Sequence, residues 1–520
     1  MPTACDPIVA RLIAFTRTLA VAGVLSATML GTAAAFEFGD VEHKAKALAA
    51  QPYDAPKPVP EFLRRPNFNY DQHRDIRFNP DKSIWRGGNG NFEVQLFHPG
   101  FVYEYGVDLH LIDGKTIKPL LLEPQLFDYG KNNIADKLPS DLGYAGFRLH
   151  YPIKNRRYFD EVITFAGASY FRAVSRDTLY GISARGLAVD TGLPSGEEFP
   201  IFREFWLKRP SPESKSARIY ALLDGPRVTG AYEFNINPGK TTTTHVKAAI
   251  FQREKVKELG VAPLTSMFHF GENTRRPNGE WRPEVHDSDG LFMINGNGER
   301  IWRPLSNESR LRLISFSLEN PRGFGLFQRD RAFSSYEDLE THMEQRPNAW
   351  VVPVGDWGKG YVKLTEIPTN SEYNDNIVAY WVPETTPDPG EPLRVEYRID
   401  WGNELPAIEP KALVFATRTG FDFDDNGNPK HRRVLIDFIG EKLKALGPEA
   451  KVEPDVTIGA GGELIEKHLT WNKITQGWRL SFALHTEKDK PVELRAFLKA
   501  QDTALSETWT YLLEPPPLEK

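Results

Sequence analysis

Short runs of alternating or β-branched residues, each closed by turn formers, recur along the whole 520-residue chain. Arg218 to Leu223, Thr241 to Phe251, Leu311 to Leu318, Tyr361 to Ile367, Asn376 to Val382 and Leu393 to Trp401 are such runs. A period of two over so few residues is the signature of a half-buried strand. The 41 Gly and 40 Pro between them follow no period, so they punctuate a fold and do not define a low-complexity tract. In Leu311 to Leu318 the apolar phase switches between Leu313 and Ile314, which predicts a β-bulge or a change of buried face. Helical periodicity is confined to Val41 to Ala50, Ser335 to Gln345 and Gly440 to Leu446. The expected fold is therefore mostly β, and the lack of a visible repeat argues against a propeller or solenoid.

The clearest boundary follows Trp401, where 403–411 is polar, proline-containing and without periodicity, as a linker would be. The unit before it, 36–402, reads as a large β-sandwich. The unit after it, 412–520, carries strands at Val434 to Phe438, Trp478 to Leu484, Val492 to Ala500 and Thr508 to Leu513, the spacing of a smaller immunoglobulin-like sandwich. Trp478, Leu480, Phe482 and Leu484 fall on one face of their strand. Residues 1–35 read as a cleaved secretory signal, with Arg11 and Arg17 before an apolar run and the small residues Ala33, Ala34 and Ala35 at its end. That segment lacks the paired arginines of the twin-arginine type. The only cysteine, Cys5, lies inside it, so the exported chain has no disulfide, which suits a bacterial periplasmic protein.

A net charge of -6 offers no polybasic surface, and nucleic acid is not an expected partner. Phosphate-loop, zinc-protease, nucleophile-elbow and paired-cysteine motifs are all missing from the sequence, and neither a metal nor a cofactor is expected. Asp422, Asp424, Asn426 and Gly427 imitate the start of a calcium loop, but its twelfth position is Arg433, and an Asn-Gly hairpin turn is the better reading.

Two loops concentrate carboxylates. One is Glu284-Val285-His286-Asp287-Ser288-Asp289-Gly290, after Trp281-Arg282-Pro283, and the other is Glu372-Tyr373-Asn374-Asp375-Asn376. Paired carboxylates are the minimum equipment for glycoside hydrolysis. Each loop also reads as an Asx-type turn. Aromatic residues make up 12% of the chain, enough to serve both a core and the faces of sugar rings, and composition does not separate the two uses.

At these loops and over long stretches the chain resembles the periplasmic osmoregulated glucan biosynthesis proteins. The stretches include GASYFRAV at 167–174, YGISARGLAVDTGLPSGEEFPIFREFW at 180–206, NPRGFGLFQRDRAF at 320–333 and GDWGKGYVKLTEIPTNSEYNDNIVAYWVP at 355–383. Of the two paralogous types in that family, a leader without paired arginines resembles the one not exported by the twin-arginine route. The resemblance implies a large sandwich resembling galactose mutarotase followed by an immunoglobulin-like domain. It also implies a periplasmic role in making β-1,2-linked glucose chains with an inner-membrane glucosyltransferase, without the chain itself being embedded in a membrane. Some members are similar to inverting endo-β-1,2-glucanases, whose general acid would be Asp375 here and whose general base would be Asp287, acting on water through a relay. Inversion needs carboxyls separated by about 6.5 to 9.5 Å or more.

One departure from the family pattern bears on that relay. Where hydrolytic relatives would carry a tyrosine shortly before Arg346-Pro347, this chain has Met343, and a thioether passes no proton. With that position in the relay, plain hydrolysis is expected to be slow, and transfer of the glucan to another sugar hydroxyl, giving branched or cyclic products, gains ground. Two readings stand side by side: a hydrolase or transglycosylase on β-1,2-glucan, and a non-catalytic glucan-binding scaffold. In the first, Trp281, Trp302, Trp350, Trp357, Tyr380 and Trp381 are candidate stacking platforms, and Arg282 and Glu372 join them as substrate-binding side chains. Glu372 also reads as a tuner of Asp375 or as a solvated turn residue.

Overall fold

The computed structural model describes residues 35–404, 411–427, 429–487 and 490–515. The expected leader therefore lies outside the described residues except at 35, and the expected linker is described only at 403, 404 and 411. Strands dominate, as the alternating runs require. One 10-stranded sheet runs in order from Glu93–Phe97 through Gly146–Tyr151, Asp160–Ala166, Tyr170–Ala173, Ser183–Arg185, Leu259–Ser266, Ile377–Pro383 and Lys359–Glu366 to Arg312–Glu319. A 15-stranded sheet faces it, carrying Ala217–Asp224, Val228–Asn237, Thr242–Gln252 and Leu393–Gly402.

Alternation aims the inward residues of the two sheets at each other, and large rings fill the space between them. Phe147 meets Phe205 with ring centroids 5.1 Å apart, and Phe165 meets Phe234 at 5.1 Å. Trp381 and Trp401 belong to the same core. The helix Phe38–Ala49 packs on the strands Ala217–Asp224 and Val228–Asn237, burying Phe38, Val41 and Ala45.

The 15-stranded sheet continues into the last part of the chain. Thr508–Leu513 pairs in parallel with Arg300–Pro304, and Val492–Ala500 and Glu453–Ile458 extend the sheet beyond it. A 4-stranded sheet of Leu413–Phe423, Pro429–Ile439, Gly477–Thr486 and Gly462–Asn472 covers that end. Trp478, Leu480, Phe482 and Leu484 all enter the core between them, together with Phe292, Trp302 and Trp350 from earlier in the chain. The Asp422 to Gly427 stretch is the turn of a hairpin, with Gly427 at φ +81°, and Arg433 donates to Asp422 at 2.9 and 2.6 Å, which occupies that carboxylate.

Two expectations are corrected. Arg312–Glu319 pairs with Lys359–Glu366 without any register shift, so there is no bulge. The inward face is Arg312, Ile314, Phe316 and Leu318, while Leu311 and Leu313 point outward against the turn at Gly192. The stretch Ser335 to Gln345 is not an α-helix. It forms two short 3-10 turns, Phe333–Ser335 and Met343–Gln345, because Glu337 and His342 adopt left-handed backbone at φ +55° and +45°.

Candidate functional site

Asp287 follows the two-residue strand Val285–His286, which pairs with Phe268–Phe270. Its amide donates to the Met267 carbonyl at 2.8 Å, and its buried carboxylate pairs with the Arg346 guanidinium. His286 beside it is fully buried, stacked on Phe268, with Nδ1 on Gln328 at 2.8 Å and Nε2 on Glu284 at 2.9 Å. Burial alone would favour the neutral ring, but the Glu284 bond and the charges of Asp289 and Asp330 outweigh it and raise the pKa to about 9. His286 is therefore an imidazolium at neutral pH and donates from both nitrogens.

Asp375 lies at the end of a loop ordered by its own polar side chains. Thr369 and Asn307 exchange two hydrogen bonds, at 3.0 and 2.7 Å, and Asn374 donates to the Thr369 hydroxyl at 3.1 Å. The next residue, Asn376, is buried and fastens the loop to Phe268, the strand partner of His286. The loops of Asp287 and Asp375 are thus brought to the same short two-stranded sheet. Solvent reaches Asp375, yet the protein crowded around it desolvates the carboxyl and raises its pKa, against the pull of Arg172, Arg185 and Arg346. Arg346 pairs with Asp287 and feels the charges of Asp375 and Glu372.

Strand alternation explains the cationic wall. On Tyr170–Ala173, Phe171 and Ala173 face the core, while Tyr170 and Arg172 face the other way. Arg185 is held by Glu197 at 2.7 Å and Thr265 at 3.0 Å, with its guanidinium 5.1 Å from the Tyr170 ring centroid. Tyr103, Tyr170, Tyr180, Glu161, Thr164 and Arg172 line a cavity of about 260 Å³ beside this wall. It shares Phe97 with a wider hollow of about 640 Å³ that reaches His73, Arg77 and Arg148.

The expected stacking platforms need correction. Trp302 and Trp350 are buried in the core under the 4-stranded sheet, Trp302 beneath Arg329 at 3.4 Å and Trp350 against Phe292 at 5.3 Å. Trp381 is buried between the two large sheets, and Tyr380 is buried with its hydroxyl donating to Glu258 at 2.7 Å. Trp357 is half-buried against Trp381 and Tyr397. On strands covered on both faces, consecutive large rings fill space and leave none for a sugar. Trp281 alone among these tryptophans is open, 62% exposed. Arg282 does not face a substrate either, because its guanidinium binds Glu280, Asp338 and Glu372 at 2.9, 3.2 and 2.7 Å. Glu372, half-buried, is accordingly paired and not a solvated turn residue.

Met343 is buried with Met267, Phe270, Val285 and Tyr336, so its side chain fills an apolar pocket beneath the Asp287 loop. Arg346, Arg172, Arg185, Tyr170 and Asn376 were not singled out by charge or spacing, although all but Arg346 lie inside the stretches that carry the family resemblance. Their signal is positional, since alternate residues on one strand face one side. Among the described residues, carboxyl oxygens of Glu272, Glu284 and Asp330 come within 4.8 Å of one another, a spacing compatible with a hard cation. Burial and mutual repulsion raise the pKa of Glu272 and Asp330, and those protons together with the His286 imidazolium supply balancing charge.

Comparison with known proteins places this geometry in context. The family described as "Periplasmic glucan biosynthesis protein, MdoG" matches residues 36–513. The chain is 48% identical over 501 residues to "Glucans biosynthesis protein G" of Ralstonia nicotianae, covering 95% of this chain and 99% of the relative. It is 43% identical over 509 residues to the protein of that name from Dickeya dadantii, covering 96% of each.

Proposed function

The chain belongs to the periplasmic glucan biosynthesis protein family and has its role there, in the periplasm and in glucan biosynthesis; from that premise we propose that it acts on β-1,2-glucan as an inverting endo-glucanase or transglycosylase. No helix among the described residues is long and apolar enough to cross a membrane. The observation that carries the reading is the contrast between two carboxyl groups at one site. Asp375 is desolvated, raised in pKa and open to solvent, as a general acid requires. Asp287 is paired with Arg346, the environment of a carboxylate kept ready to activate water.

In this mechanism the glucan lies across Tyr170 and Arg172, with Arg185 behind the Tyr170 ring, and Asp375 protonates the glycosidic oxygen as the bond breaks. Asp287 takes a proton from the attacking water or sugar hydroxyl through a relay on the opposite face of the ring. The two hollows beside the wall, which share Phe97 in their linings, are room in keeping with a polymeric ligand. Transfer to a second sugar would shape branching or cyclisation of chains supplied by an inner-membrane glucosyltransferase.

One observation favours a second reading. The apolar packing of Met343 places no hydroxyl at that position, so a scaffold that holds the nascent glucan without cleaving it is the alternative. Product sizing with wild type and Asp287→Asn, beside glucan binding measured on both, separates them. Loss of turnover with retained binding supports catalysis, and binding without turnover in the wild type supports the scaffold.

A further inference from the structure

The Arg282 guanidinium joins three separate segments. Glu280 belongs to the segment leading to Asp287, Asp338 to the loop leading to Arg346, and Glu372 to the loop carrying Asp375. Its side chain is 11% exposed, so these bonds are largely shielded from solvent. Glu280 adds bonds of its own, to the amides of Trp281 and Arg282 at 3.0 and 3.1 Å, and Asp338 caps the amides of Glu340 and Thr341 at 2.9 and 3.1 Å. The guanidinium thus fixes loops that are themselves internally ordered.

Arg346 has more than one acidic neighbour. It pairs with Asp287 and lies within the field of both Glu372 and Asp375. A Glu372 carboxylate released from Arg282 would compete for Arg346, and a guanidinium drawn toward Glu372 would leave Asp287 unpaired. We propose that Arg282 is a positioning residue: by holding Glu372, Asp338 and Glu280 it keeps Glu372 away from Arg346, and so reserves Arg346 for Asp287. The inference rests on Asp287 and Asp375 being the working pair.

The test compares wild type, Arg282→Gln, Glu372→Gln and the double variant on linear β-1,2-glucan, with hydrogen exchange followed on each. Arg282→Gln should lower kcat on the order of 10- to 100-fold, as small misplacements of reacting groups do, with KM changed less than about threefold. The double variant should recover a substantial part of that kcat, because the competing charge is gone; a purely structural role for Arg282 would give no such rescue. Exchange should quicken over both 337–346 and 368–376 in Arg282→Gln. An Arg282→Gln enzyme with wild-type kcat, or a double variant no better than the single one, overturns the inference while leaving the catalytic pair standing. A wild type that turns over no glucan defeats the catalytic reading itself, and exchange then decides the clamp: quickening in both segments supports it, and no change overturns it. Should Arg282→Gln not fold, Arg282→Lys, which keeps the charge but cannot fork between three carboxylates, is read the same way.

Discussion

The Asn376 side-chain amide satisfies both backbone groups of Phe268, accepting from its N–H at 2.8 Å and donating to its carbonyl at 3.0 Å. Asn376 follows Asp375 in the chain, and Phe268 pairs across the ladder with His286, which precedes Asp287. One buried amide therefore sets the position of the proposed acid against that of the proposed base. Replacing Asn376 by Ala leaves those backbone groups and the Ile367 carbonyl without it. The expected result is a loss of about 2 to 4 kcal/mol in urea unfolding, together with a clear fall in kcat. Asn376→Asp should be at least as damaging, since a carboxylate would face two carbonyl oxygens.

Arg346 and Asp287 form a mostly buried ion pair, and removing one member strands the other. Arg346→Met should cost on the order of 3 kcal/mol by denaturant unfolding and should abolish turnover. If stability and turnover are unchanged, the pair has no part in holding the site.

The pH dependence of turnover follows from Asp375. A general acid must carry its proton, and desolvation by the protein crowded around it raises the pKa of this carboxyl. The rate should therefore fall as pH rises through a value above the ordinary aspartate pKa of about 3.9. A kcat profile flat through the acidic range would show that Asp375 is not the acid.

His286 gives a separate signature in stability. Its pKa is raised from 6.5 to about 9 in the folded chain, so its contribution is complete below pH 6.5 and is lost as pH rises through about 9. Unfolding free energy measured from pH 6 to 10 should decline over that window, and His286→Gln should remove this part of the decline.

Much of the fold was legible because two-residue periodicity survives wherever one face is buried. Trp478, Leu480, Phe482 and Leu484 fall on the core side together for that reason. Aromatic content misled where both faces of a strand are covered: Trp302, Trp350, Tyr380 and Trp381 looked like sugar platforms and are packing residues. The apolar repeat from Tyr336 to Met343 looked helical, but left-handed backbone at Glu337 and His342 breaks it into turns that still bury both side chains. Asp287 and Asp375 could be marked from their loops and the family resemblance. Arg346, Arg172, Arg185 and Asn376 could not be, because their roles depend on which distant segments meet, and spacing along the chain carries no such information.

The most direct test follows purified protein acting on linear β-1,2-glucan over time, resolving products by size and counting reducing ends, beside Asp375→Asn. The catalytic account predicts that wild type changes the size distribution, with new reducing ends for hydrolysis or without them for transfer, and that Asp375→Asn stops both while still binding glucan. An unchanged substrate with wild type, or equal turnover by Asp375→Asn, would contradict it.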